Sequence, residues 1–218
     1  MNALVFDTET TGLPLYGSAH PSDAVYQPRM CSIAMALVDE HGAELARFAS
    51  LIKPVGWPLD DPLFVNNMKS ASEKAHGLTF EQLEADGVLI DSVREEWNTL
   101  YARATYVCGF NVWFDHKIAR GEWKRLGHPI PFREKQGICL MKGSTELCKI
   151  ERKAPGGGFK FPKLGEAVKI LLGKDHTRAH SAEGDLDVSL EIYRYLAERG
   201  LLVPEDQPEA KQPAAVAA

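Results

Sequence analysis

Long apolar runs are missing from this 218-residue sequence. Nothing in it approaches the ~20 consecutive apolar residues that a membrane-crossing helix needs, so no membrane partner is expected. The N-terminus also lacks a basic stretch followed by an apolar one, the pattern of a secretion signal. Met1 instead leads almost directly into what reads as a core strand. Cysteine is scarce. Cys31, Cys108, Cys139 and Cys148 are far apart, and no two form a CxxC pair. That spacing argues against a zinc framework and for reduced core thiols in a cytoplasmic protein. An excess of positive charge is absent too, since the formal net charge is −5. A protein that coats nucleic acid without regard to sequence needs a broad basic surface, which this balance disfavours. An enzyme that grips only a strand end is not excluded by it. No internal repeat is evident.

What is present is an ordinary globular composition, 44% apolar and 25% charged, in a chain long enough for one domain with a full core. Ala3–Phe6 is a continuous apolar run that reads as a buried strand. A loop rich in Pro, Gly, Ser and Tyr follows from Pro14 to Pro28. Cys31–Val38 and Ala43–Ile52 read as two strands of a hairpin around the turn-like Asp39-Glu40-His41-Gly42. Residues 54–66 are Pro-rich and expected to be irregular. A mostly helical stretch from Lys69 to Ala104 is broken at His76-Gly77 and at Asp86-Gly87, with Thr79-Phe-Glu-Gln82 shaped as a capping box. Thr105–Gly109 reads as a short strand, Val112–Leu126 as a helix ending at Gly127, and Gln136–Met141 as another short strand. Pro155-Gly-Gly-Gly158 reads as a flexible loop. Lys163–Leu172 and Ser181–Arg199 are helical, the latter with an apolar stripe through Ala182, Leu186, Leu190, Tyr193 and Ala197. Strands first, then mixed helix and strand, predict one α/β domain over residues 1–203 with a mixed sheet flanked by helices. Residues 204–218, rich in Pro and Ala, are expected to be a disordered tail.

Three local patterns carry chemistry. In Phe6-Asp7-Thr8-Glu9-Thr10-Thr11-Gly12-Leu13, an apolar strand runs into Asp-x-Glu. Residues two apart on an extended chain share a side, so Asp7 and Glu9 project together from the strand's end. Carboxylates this close repel unless something positive lies between them, and hard oxygen ligands favour Mg²⁺ or Mn²⁺. Taken alone, the pair fits two solvated acids at least as well. It also faintly resembles the haloacid dehalogenase phosphatases, whose second acid is Asp. The second pattern, Gly109-Phe110-Asn111-Val112-Trp113-Phe114-Asp115, places Asp115 in the first turns of a helix. The third, His180-Ser181-Ala182-Glu183-Gly184-Asp185, places Asp185 early in the last long helix with His180 on the entering loop.

In this order the three patterns resemble the three motifs of the DnaQ-like, DEDDh class of 3′→5′ exonucleases, over Phe6 to about Leu196. FDTETTGL matches the first motif, and HSAEGD fits His-x-Ala-x-x-Asp; the Tyr-bearing subclass would want Tyr at Ser181. His76-Gly77-Leu78-Thr79 is similar to a His-Gly-Ile-Thr segment lining the family's site. The third motif also resembles that of the three-prime repair exonucleases. Phe110 departs from the His that many members place before the Asn.

The resemblance implies a ribonuclease H-like fold and two Mg²⁺ (or Mn²⁺) held by Asp7, Glu9, Asp115 and Asp185, with His180 as general base. It implies that Thr10 and Leu13 contact the terminal nucleotide and that His76 and Asn111 shape the pocket. The expected activity is hydrolysis at single-stranded or frayed 3′ ends, releasing nucleoside 5′-monophosphates, with DNA favoured over RNA. A 3′-trimming exoribonuclease, a phosphatase acting on small esters, and a non-catalytic nucleic-acid-binding module on the same fold are the competing readings. A polymerase or another replication or repair protein is an open partner. The region from Lys149 to Lys163 carries five Lys/Arg against one acid, and either grips a phosphate backbone or is merely solvated.

Overall fold

The computed structural model describes residues 1–13, 27–128, 135–153 and 157–206. Its centre is β1 (Ala3–Thr10), which pairs antiparallel with β2 (Met30–Val38) on one side and parallel with β4 (Tyr106–Gly109) on the other. Outside β2 lies β3 (Glu44–Leu51), antiparallel to it. Outside β4 lies β5 (Gly137–Cys139), parallel, and then β6 (Pro204–Glu205), antiparallel. The sheet therefore runs β3-β2-β1-β4-β5-β6. This is the mixed sheet with flanking helices that the ribonuclease H-like expectation required.

Strand alternation sorts the core into two faces. Leu4 and Phe6 of β1, with Ile33, Met35 and Leu37 of β2, pack under α4 (Ile90–Arg103) and α5 (Val112–Arg125). Trp97 of α4 is fully buried there, meeting Phe6 edge-on with ring centroids 4.7 Å apart and Trp123 of α5 at 5.8 Å. Ala3 and Val5 of β1, with Ala34, Ala36 and Val38 of β2, form the opposite face. These mostly small side chains lie under α8 (Ala182–Ala197), which presents Leu186, Leu190 and Tyr193 as the expected apolar stripe. α6 (Leu140–Cys148) and α7 (Leu164–Ala167), continued by a π-helical turn over Val168–Leu172, complete that side.

Several expectations need correction. The strand that carries the first motif runs to Thr10, so Asp7 and Glu9 lie inside it rather than at its end, opposite Ala34 and Ser32 of β2. The Pro-rich stretch 54–66 is not wholly irregular. It becomes helical at α1 (Pro62–Asn67), because Asp61 caps the Leu63 N–H and Pro62 fits the first turn, where no N–H is needed. A π-helical turn over Met68–Ser72, α2 (Glu73–His76) and α3 (Phe80–Asp86) then lead to α4. Pro204 and Glu205, expected in the disordered tail, pair with Ile138 and Gly137 as β6, and Glu205 accepts hydrogen bonds from Trp113 and Lys142. Residues 207–218, most of the expected loop Pro14–Pro28, and 154–156 lie outside the described residues. Among the described residues, no helix is long and apolar enough to cross a membrane.

Candidate active site

The sheet faces decide where the acids go. Asp7 and Glu9 continue the alternation of Ala3 and Val5, so they emerge on the face covered by α8. Asp185 lies in the first turn of α8, above that face. Ser181 caps this helix by accepting the Gly184 N–H at 3.3 Å. Ligand oxygens of Asp7, Glu9 and Asp185 all lie within 4.8 Å of one another.

Asp115 arrives from the other side. Gly109 ends β4, and a Cβ there would come within 2.8 Å of the Phe6 carbonyl oxygen, so glycine is needed for the strands to meet closely. The chain turns through Asn111 in the left-handed region (φ 91°) into α5. Asp115, in the first turn, is 5% exposed. Its Oδ1 accepts from the Thr8 backbone N–H at 3.0 Å and from Thr8 Oγ1 at 2.7 Å. Asp115 lies outside the mutual 4.8 Å cluster, yet its charge reaches both strand acids.

The electrostatics show what this crowding costs. Burial, then the charges of Asp115, Asp185 and Glu9, push Asp7 well above the carboxylate range. Glu9 is raised to about 8, mainly by burial, with Asp185 and Asp115 adding. Burial lifts Asp115 to about 7, against the opposing hydrogen bonds from Thr8. Half-buried, closely spaced oxygen donors that resist ionising together match the needs of a hard divalent cation, which would replace the protons.

His180 stands at a left-handed backbone position (φ 62°) just before α8, and its side chain is exposed. It lines a cavity of about 240 Å³ together with Glu9, Ser32, His76 and Leu78. His76 ends α2, where Gly77 takes the left-handed cap. Its Nδ1 accepts the Leu78 N–H at 3.1 Å, so Nε2 carries the proton and donates to the Thr10 carbonyl at 3.2 Å. The ring is therefore neutral, and burial together with His180 holds its pKa below the usual value despite the Thr10 carbonyl. With both nitrogens engaged, His76 shapes the cavity by its ring. Thr10 is buried and donates from Oγ1 to the Gly12 carbonyl at 2.7 Å. Leu13 is 76% exposed beyond the strand. Asn111 is exposed, and its side chain does not cap α5. Phe110, in place of the family's His, is buried in the core beneath α8.

Residues that the sequence did not single out support this arrangement. Thr8 holds Asp115, as above. Thr11 and Arg29 exchange two hydrogen bonds at 2.9 Å, pinning together the chain that leaves β1 and the chain that enters β2. Arg29 is in turn gripped by Glu122 of α5 through a buried forked pair, Nε–Oε1 at 2.8 Å and Nη2–Oε2 at 3.0 Å. His176 approaches Asp185 at 2.5 Å. The only local signals for these were side-chain types that recur throughout the chain.

Comparison with known proteins gives the family and the fold. A family model, RNase T, described as exonuclease, matches residues 4–193. No curated protein matches the chain by sequence. Among solved structures, E. coli exonuclease I in complex with a dT13 oligonucleotide superposes with a TM-score of 0.65 at 18% identity, covering 91% of this chain and 41% of that one. The zinc-bound form of the E. coli exonuclease I–single-stranded DNA complex gives 0.66 at 19% identity, covering 92% and 42%. The product-bound structure of exonuclease I gives 0.66 at 17% identity, covering 92% and 45%. This chain thus spans less than half the length of those proteins, and the likeness establishes the shared fold.

Proposed function

The chain belongs to the RNase T exonuclease family, and from that membership we propose that it removes nucleotides one at a time from the 3′ end of single-stranded or frayed DNA. The observation that carries this reading is the trio Asp7, Glu9 and Asp185, which shares its cavity, through Glu9, with the exposed imidazole of His180. The 3′ polarity draws on the resemblance of the three acidic motifs to the DnaQ-like exonucleases, and the preference for DNA on the exonuclease I structures, which hold dT13 and dA16 oligonucleotides.

Asp7, Glu9 and Asp185, with Asp115 nearby, would hold two Mg²⁺ or Mn²⁺ ions. Roughly four negative charges would then face four positive ones. When bound, the ions neutralise phosphodiester oxygens, lower the pKa of an attacking water and stabilise the leaving 3′ oxygen. His180 takes the proton of that water at Nε2 or Nδ1, a task suited to an imidazole near neutral pH. Its ring lines the cavity beside Glu9 and the start of α8. Thr10 and Leu13 contact the last nucleotide, with the exposed Leu13 available to wedge beside its base. His76 and Asn111 shape the floor and flank of the pocket. The product is a nucleoside 5′-monophosphate.

Digestion of a 5′-labelled oligonucleotide tests this. With Mg²⁺ or Mn²⁺, a ladder should shorten from the 3′ end and stop on adding chelator. Release of the 5′ label first, internal cuts first, or activity indifferent to chelator would refute it. Parallel digestion of the matching RNA decides between DNA and RNA.

A further inference from the structure

We propose that His176 is a positioning residue: it holds the Asp185 carboxylate in the orientation needed to ligate a cation, and ties the loop bearing His180 to that ligand. The inference rests on the reading of Asp185 as a metal ligand.

His176 Nε2 lies 2.5 Å from Asp185 Oδ1, and the two side chains are only 5% and 15% exposed. Nε2–H donates and the carboxylate oxygen accepts. Among the described residues, the cluster of mutually close ligand atoms contains Asp7, Glu9 and Asp185 but no histidine. The imidazole therefore meets Asp185 from outside the trio. One oxygen is taken by His176, and the other is left for a cation. A hydrogen bond on one oxygen also fixes rotation of the carboxylate, which otherwise turns freely about its last bond.

The loop that carries His176 is itself fastened down. It leaves the π-helical turn through Gly173 in the left-handed region (φ 69°). Lys174 pairs with Glu191 at 2.7 Å, and Arg178 pairs with Asp187 at 3.0 Å, both acids on α8. Gly184 lets the loop lie flat on the helix, since a Cβ there would sit 2.3 Å from the Arg178 carbonyl oxygen. His176 is thus placed by contacts independent of Asp185, as a positioning group must be.

The other helix-borne acid is held in the same way. Asp115 Oδ1 accepts two hydrogen bonds from Thr8. Both acids that come from helices have one oxygen fixed by a donor on a neighbouring segment. The arrangement also separates the loop's two histidines. His176 is buried and engaged, whereas His180, four residues on, is exposed and faces the cavity.

The test uses the full chain stripped of metal. His176→Phe keeps a ring of similar shape without a donor, and His176→Gln places an amide N–H near the position of Nε2. Mn²⁺ affinity is measured by calorimetric titration and by the rise in Tm on adding Mn²⁺; kcat and KM for a single-stranded oligonucleotide are measured at saturating Mn²⁺. The Phe variant should bind Mn²⁺ about 10–100-fold more weakly. Its KM for the oligonucleotide should stay near that of the wild type, and the Gln variant should recover most of the affinity. If the Phe variant melts too low to assay, His176→Leu carries the same comparison. Wild-type Mn²⁺ affinity in the Phe or Leu variant, or no recovery in the Gln variant, would overturn the proposal while leaving the metal-site reading intact. If the wild type binds no Mn²⁺ and Asp185→Asn changes nothing, the metal-site reading itself fails, and this proposal with it.

Discussion

Replacing Glu9 with Gln should stabilise the metal-free protein at pH 8 and alter it little at pH 4. Glu9 lies on β1 among other acids, and burial, with Asp185 and Asp115 adding, lifts its carboxyl from 4.5 to about 8. In the unfolded chain it titrates near ~4.3. Between those values the folded state holds a proton that the unfolded state has lost. The stability of the metal-free protein therefore falls as pH rises through that window, a loss absent below ~4 and complete near 8. At ~1.36 kcal/mol per pH unit, the ionised form is disfavoured by about 5 kcal/mol. Glu9 is partly open to water, which screens its charge, so about 3 kcal/mol is the working figure. For a chain of this length that corresponds to roughly 6–12 °C in Tm.

Thermal melts in chelator at pH 4, 6 and 8 read this directly. The wild-type Tm should drop across the series relative to the Gln variant, with the gap widest at pH 8. Adding Mn²⁺ should reverse the order, because a cation binds the deprotonated carboxylates that the folded protein otherwise disfavours. The Mn²⁺-induced rise in the wild type should be larger at pH 8 than at pH 6. A Gln variant no more stable than the wild type at pH 8 in chelator would refute the claim that these acids are crowded and buried together. A wild-type Tm unmoved by Mn²⁺ would refute the cation site.

Three further outcomes are expected. His180→Ala should lower kcat by about 100-fold or more while leaving the Mn²⁺-induced rise in Tm near that of the wild type; equal loss of both would remove His180 from the role of base. Thr8→Val keeps the backbone N–H bond to Asp115 but deletes the 2.7 Å bond from Oγ1, and should cost about 1–3 kcal/mol in urea unfolding, with Thr8→Ser nearly neutral. Arg152→Ala with Lys153→Ala neutralises two exposed charges, and should flatten the dependence of log K on log salt by about 0.7 for each phosphate these side chains pair with. An unchanged slope takes that loop out of the binding path.

The parts of the fold legible in the sequence were those with a period. β2 and β3 announced themselves as apolar segments around a polar turn, and α8 as a stripe of apolar residues ending in a polar loop. The site acids were legible for a different reason. Asp7 and Glu9 alone fitted solvated acids as well, and an acid in the first turn of a helix, as Asp185 is, is ordinary; the order of the three patterns and their resemblance to the exonuclease motifs singled them out. β6 has two residues, so no periodicity exists to read; its pairing is imposed by β5. The start of α1 was in fact written locally, as Asp61-Pro62, but the surrounding prolines masked it. His176 is one of seven histidines, and nothing within a few residues of it distinguishes it from the rest. Its meaning comes from where the loop lands on α8. Thr8 was hidden in plain sight between the two acids, since its role depends on Asp115, 107 residues away.

Why the acids sit on β1 follows from the sheet. β1 is bonded on both edges, to β2 and to β4, and covered on both faces, by α8 and by α4 with α5. Like-charged groups placed on a mobile segment would move apart and take up water. Placed here they cannot, and their repulsion is relieved only by protonation or by a cation. The apolar packing around Phe6 and Trp97 bears that cost, which is the usual exchange of stability for function at an active site. It follows that a substitution weakening this packing, such as Phe6→Leu, should loosen the cation site without touching a ligand. The structural requirement for binding is the rigidity of the strand together with the charges it holds.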